Sequence, residues 1–278
     1  MQCFDLAGAK HFCAGQQPAT GAGMVTMRRI APRLTRARTI PEADPLFAEL
    51  RAACLSDVDR FLFLGASQYR RGCDLLHTAG APWALVTFYY SAFFSAKALL
   101  GMFGVWMDEG YVVTEVSVAL PGAQRIRTMK RALTVVKGTH RRFWDEFYRA
   151  ANGLKPWVDP ADQWVLGPIL GDPGYLTDTR NSVNYDPEKA VDLAATFQGT
   201  FAPTGFPQCL QGDVHLQYSA AEGLLLMAFK FAGDFALRST ALDVLAPAGS
   251  RGDKIRDLVV SPAIPALGGR TREAELLV

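Results

Sequence analysis

The chain has 278 residues, 49% hydrophobic and 20% charged, with 29 Lys and Arg against 27 Asp and Glu, a formal charge of +2. That composition excludes wholesale disorder and leaves enough chain to bury a sizeable core. The near-neutral balance excludes a global field steering the molecule to nucleic acid or membrane, so any such contact must be local.

Residues 1–40 are rich in Gly and Ala and then basic: Arg28, Arg29, Arg33, Arg36 and Arg38 follow one another with no acid between them. They read as a mobile, solvated tail, with a phosphate-touching arm as the alternative. Met24 and Met27 are candidate starts, which would leave residues 1–23 outside the fold. No continuous apolar run marks a signal peptide. The five cysteines (Cys3, Cys13, Cys54, Cys73, Cys209) are odd in number and form no CxxC pair; His11 and Cys13 lack a second pair to complete a metal site. Free thiols in a reducing, cytoplasmic compartment are expected, with no metal or other cofactor.

Residues 45–77 read as a helix, with Phe47, Leu50, Cys54 and Phe61 on one stripe of a 3.6-residue period and Gly65 as a candidate break. Residues 82–106 form a second helix that starts on Pro82. Thr78 to Ala96 carries no charge over 19 residues, long enough to raise a membrane span. Gly80, Pro82 and Lys97 interrupt it and no basic cluster flanks it, so burial at the centre of a bundle is the favoured reading and no membrane partner is expected.

Residues 111–120 alternate β-branched side chains at period 2, a strand signal, followed by a Pro121-Gly122 turn. The stretch 124–137 reads equally as the hairpin partner or as a helix with Ile126, Met129 and Leu133 on one face. A helix then runs from Thr139 to about residue 151, and 152–175 is loop-like with four prolines. Shorter helices follow over 175–184 and from Asp186-Pro187 to about Phe197, then a loop over 199–212 and a last long helix over 214–238. The remainder, 239–278, loses periodicity and reads as a second mobile tail. The fold class is therefore all-α: a bundle of four to five helices over 41–238, with an inserted segment, 109–171, for which a β-hairpin is one reading.

Two constellations carry candidate chemistry. Between Glu115 and Asp145 there is no acid, while Arg125, Arg127, Lys130, Arg131, Lys137, Arg141 and Arg142 gather there, followed by Phe143, Trp144, Phe147 and Tyr148. Basic residues attract phosphates and exposed aromatics stack on unpaired bases. A solvated hairpin and a helix with core aromatics explain the same run. The second constellation is Arg180-Asn181 with Asn184 one turn on, a cluster that can hold a phosphate; the plainer alternative pairs Arg180 with Asp178 or Asp186.

Tyr89-Tyr90-Ser91-Ala92-Phe93-Phe94-Ser95-Ala96-Lys97-Ala98-Leu99-Leu100 and Arg180-Asn181-Ser182-Val183-Asn184-Tyr185 together resemble the HEPN superfamily, the higher eukaryote and prokaryote nucleotide-binding domains. The first looks like the family's central aromatic and small-residue helix, the second like its Arg-polar-x-x-x-His motif. The resemblance covers about 45–108 and 172–238. It implies a helical bundle that dimerises with two motifs facing one cleft, binding RNA or cleaving it without metal, in toxin–antitoxin or phage-defence systems. An antitoxin or a nucleotidyltransferase would be the protein partner. Carried over, Arg180, Asn181 and Tyr185 take the catalytic positions, and Asn184 with Arg125, Arg127, Lys130, Arg131, Arg141 and Arg142 extends an RNA path. The departure is Tyr185, a phenol of ordinary pKa near 10 where the family has an imidazole near 6.5. A catalytically silent dimerisation or partner-binding module is the alternative it favours.

Overall fold

The computed structural model describes residues 6–14, 26–30, 38–76, 81–107, 112–117, 124–130, 139–198 and 212–237. Its helices are α1 (Leu6–Cys13), α2 (Met27–Ile30), α3 (Pro45–Leu76), α4 (Ala81–Met102), α5 (Thr139–Ala151), α6 (Tyr175–Tyr185), α7 (Pro187–Gln198) and α8 (Gly212–Asp234). Four short strands, β1 (Arg38–Pro41), β2 (Trp106–Met107), β3 (Val112–Ser117) and β4 (Arg125–Lys130), form an antiparallel sheet in the order β1-β4-β3-β2. The fold is mostly helical, as its period-3.6 patterning predicts. In the segment after α4, β3 pairs with β4, so 125–130 is strand rather than helix, and 131–137 lies outside the described residues.

α4 is the central helix. It packs against α3 on one side and α8 on another, while α5, α6 and α7 also touch it. It is the one described helix long and apolar enough to cross a bilayer, and 78% of that stretch is buried inside the protein. Close approach of α3 and α4 depends on small residues. A Cβ at Gly65 would lie 2.7 Å from Ser95 Oγ, and one at Gly72 2.6 Å from the Phe88 ring. Gly65 therefore does not break α3, which runs unbroken for 32 residues. Ser91 Oγ donates to the Gly65 carbonyl at 2.8 Å, fixing the two helices at that crossing. α4 ends earlier than its apolar run: Gly104, at φ 72°, turns the chain so that Trp106 enters the sheet.

Two sequence expectations need correction. Residues 6–14, 26–30 and 38–40 belong to the fold rather than to a mobile basic tail, and the rest of 1–40 lies outside the described residues. Phe12, Cys13, Met27 and Ile30 are within the core, and Arg38 to Ile40 pair in β1. The helices involved are too short to show a period, and what holds them is tertiary. Arg51 of α3 donates to the carbonyls of His11, Phe12 and Ala14 at 2.6–2.8 Å, satisfying the C-terminal end of α1. Asp57 accepts the Met27 N–H at 3.0 Å at the start of α2. Burial pushes the Cys13 thiol up to about 12, so it is an inert core group. The second correction concerns 152–175. It contains three 3₁₀ turns, Asn152–Trp157, Gln163–Leu166 and Ile169–Gly171, that bury Leu154, Val165, Leu166 and Ile169. The Pro121-Gly122 turn and the tail 239–278 lie outside the described residues.

Candidate functional site

α6 is positioned by its apolar face and by α8. Leu176 and Val183 are buried, and Gln217 of α8 donates to the Leu176 carbonyl at 2.9 Å. Tyr175 at the first residue of α6 donates to Asp213 of α8 at 2.6 Å. This orientation turns Arg180 inward, against α4.

There Arg180 is only 7% exposed. Its guanidinium lies over two rings at once, 5.0 Å from the centroid of Tyr89 and 5.4 Å from that of Tyr90. A desolvated cation over an aromatic face gains ~2 kcal/mol. Nη1 donates to Asn181 Oδ1 at 2.7 Å and Nη2 to the Tyr90 hydroxyl at 3.3 Å, while Nε is buried without a hydrogen-bond partner. Among the described residues no carboxylate pairs with it. Asp178 is bound by Arg141 at 2.8 Å, and Asp186 accepts the backbone N–H groups of Glu188 and Lys189 at the start of α7. The alternative in which Arg180 pairs with one of these acids is thereby overturned. Buried cations are ordinarily paired, so a guanidinium in this setting is a candidate for binding an anion.

A second ionisable group joins the same pair of tyrosines. His140, from the first turn of α5, places Nδ1 2.8 Å from the Tyr89 hydroxyl, with its ring 4.7 Å from Phe93 and 6.3 Å from Tyr90. Thr177 Oγ1 lies 3.4 Å from the same hydroxyl. Burial raises the Tyr89 pKa, partly offset by Thr177, so at neutral pH the phenol keeps its proton. Arg180 and His140 thus sit on a shared aromatic floor, linked through one phenol.

The other predicted residues distribute differently. Asn181 stays with Arg180. Asn184 is exposed, and Tyr185, the last residue of α6, is 76% exposed. Arg125 is exposed on β4, and Arg127 and Lys130 lie in the same strand, where the ladder places Glu115 opposite Arg127. Arg131 falls outside the described residues. Arg142 is half-buried. Arg141 is neutralised twice, by Asp178 and by Asp172 at 3.3 Å. Phe143, Trp144, Phe147 and Tyr148 belong to the core, with Trp144 and Phe147 fully buried, so they cannot stack on bases. Among the described residues of the acid-free run, then, the aromatics serve the core and Arg141 is held by carboxylates.

Sequence reasoning missed His140, whose partner Tyr89 is 51 residues away. The one signal that could have found it is its place beside the aromatic cluster of α5. No group of three or more metal-ligating side chains occurs among the described residues; His11 instead bonds Glu42 at 2.9 Å. No family model, curated protein or solved structure matches this chain.

Proposed function

We propose that the chain is a HEPN-like RNA-binding protein whose phosphodiester site is centred on Arg180. The observation that carries the reading is a guanidinium 7% exposed, clamped by two tyrosines, with an unpartnered Nε and, among the described residues, no carboxylate paired with it. A phosphate at the guanidinium would complement its charge through charge-assisted hydrogen bonds. The resemblance carried by Tyr89-Tyr90 and Arg180-Asn181 supports the same assignment, since those two stretches meet in space.

The reading extends to metal-independent cleavage through His140 rather than Tyr185. A histidine side chain suits proton transfer at neutral pH far better than a phenol does. In that step His140 takes the ribose 2′-hydroxyl proton, the 2′-oxygen attacks phosphorus, and the P–O5′ bond breaks. The proton then passes to the departing 5′-oxygen, leaving a 2′,3′-cyclic phosphate and a 5′-hydroxyl.

The test mixes end-labelled single-stranded RNA with the protein in EDTA, beside Arg180→Ala and His140→Gln. Salt-dependent binding lost in Arg180→Ala, and cyclic-phosphate products lost in His140→Gln, are expected. Binding without cleavage leaves an RNA-binding module. The exposed Tyr185 at the family's His position favours a second reading, a silent dimerisation module. That reading predicts a stable homodimer by sedimentation and no RNA affinity at physiological salt.

A further inference from the structure

α4 is buried with one regular exception. From Pro82 to Met102 every residue is buried except Trp83, Thr87, Tyr90, Phe94 and Lys97. Their spacing of four, three, four and three is a single stripe along the helix. The stripe is not uniform. At its far end protein fills it: Phe94 stacks on Phe61 and Tyr90 at 6.1 and 6.2 Å, and Lys97 lies 4.8 Å from the Phe93 centroid. In the middle Tyr90 meets Arg180. At its near end Trp83 is 63% exposed, an indole left in water at the start of an otherwise buried helix. Thr87 between them donates its hydroxyl to the Trp83 carbonyl at 2.6 Å, so that proton is already used.

We propose that this near half of the stripe is a track for single-stranded RNA, with a phosphate on Arg180 and a base stacked on Trp83. The inference rests on the RNA reading above and gives it a direction and a strand form. Charge complementarity selects the occupant. α4 contains no Asp or Glu and Lys97 is its one charge, while among the described residues no carboxylate pairs with the cation in the middle of the stripe. A second copy of this chain would have to bring an acid to the same place, whereas a nucleic-acid strand brings one phosphate per nucleotide. Trp83 and Tyr90 are seven residues apart, about 10 Å along the helix axis. A strand advances ~3.4 Å per nucleotide when stacked and further when extended, so the stacked base lies roughly two to three nucleotides from the bound phosphate. A duplex base is already stacked on its neighbours and cannot take this place, which makes the site selective for single strands.

The experiment measures affinity by fluorescence anisotropy for a labelled single-stranded hexanucleotide and for the same sequence as a duplex. The proteins are the full chain, Trp83→Ala, Trp83→Phe and Arg180→Ala. Stacking of one base predicts a loss of about tenfold for Trp83→Ala on the single strand, largely restored in Trp83→Phe. A series of oligonucleotides with one base removed locates the partner. At one position the loss seen with the full chain vanishes in Trp83→Ala, as a coupled pair requires. Binding that depends on Arg180 but is unchanged in Trp83→Ala overturns the track and leaves the RNA reading intact. A Trp83→Ala protein with unchanged RNA affinity and an altered sedimentation coefficient also overturns it, making the stripe a contact between copies. Failure of the full chain to bind RNA at all removes the reading on which the track rests.

Discussion

Arg141 and Arg180 stand on neighbouring helices and meet opposite surroundings. Arg141, from the acid-free basic run, lies at the surface between Asp172 and Asp178. Arg180, from a stretch with acids two residues before and six after it, is buried between two tyrosines and pairs with no carboxylate among the described residues. Local charge density along the chain points to the first; the folded structure leaves the second uncompensated. An arginine free to bind an anion is recognised by what it lacks in space, because a guanidinium already held by two carboxylates offers a phosphate little.

The strongest way to break the comparison is Arg180→Met. It keeps much of the side-chain volume and removes the cation. RNA affinity should fall by on the order of 10- to 100-fold, the value of charged hydrogen bonds lost from a dry site. Thermal stability should change little, since the desolvation relieved offsets the cation–π contact and the two hydrogen bonds lost. A titration with RNA and a melting curve of the same protein check both halves. A large fall in Tm would mean that the arginine is structural.

Asn181→Asp sharpens it by turning Arg180 into a second Arg141. The new carboxylate takes the 2.7 Å contact that Asn181 Oδ1 now makes with Nη1. A charge-assisted pair is about twice as strong as a neutral one, so RNA affinity should drop about tenfold. Stability should gain a new acid dependence. A carboxyl whose pKa is depressed by Arg180 contributes stability above its unfolded value near 3.9, and that contribution is lost as pH falls through the folded value. Melting curves from pH 6 to 3, compared with the parent protein, show whether the extra acid limb exists.

Tyr89→Phe separates the two ionisable groups. The ring under Arg180 remains, while His140 and Thr177 lose their shared hydroxyl. Binding should change little, cleavage should fall, and stability should drop by about 1 kcal/mol. Burial raises the Tyr89 pKa, so its contribution is whole below the ordinary phenol value near 10 and lost as pH rises through the folded value. The variant should therefore lose part of the alkaline decline in stability, which melting curves from pH 8 to 11 would register.

These contrasts mark how far the sequence could be read. The long helices were legible because their apolar period is long: Phe47, Leu50 and Cys54 of α3 are all buried. The hairpin at 112–130 was one of two open readings, since Ile126 suits the core face of a strand as well as of a helix. α1 and α2 were illegible, being eight and four residues held by Arg51 and Asp57 from another helix. At the site, Arg180 and Asn181 were legible because they are adjacent. The isolation of Arg180 was not, because Asp178, two residues away on the same helix, faces elsewhere and belongs to Arg141. His140 was illegible for the same reason: its partner comes from α4.

The smallest expected effect is the control on which the comparison depends. Arg141→Ala removes an exposed arginine and two ion pairs, a change worth at most ~1 kcal/mol. Its neighbours keep their work. Asp172 still accepts the Gly174 N–H at 2.8 Å at the entry to α6, and Asp178 remains in the first turn, where a negative charge suits the helix dipole. The start of α6 should therefore hold, Arg180 should keep its place, and RNA affinity and its salt dependence should match the parent protein. If the RNA affinity of Arg141→Ala falls as far as that of Arg180→Met, the basic run is a binding surface after all, and isolation in space is not what marks the functional arginine.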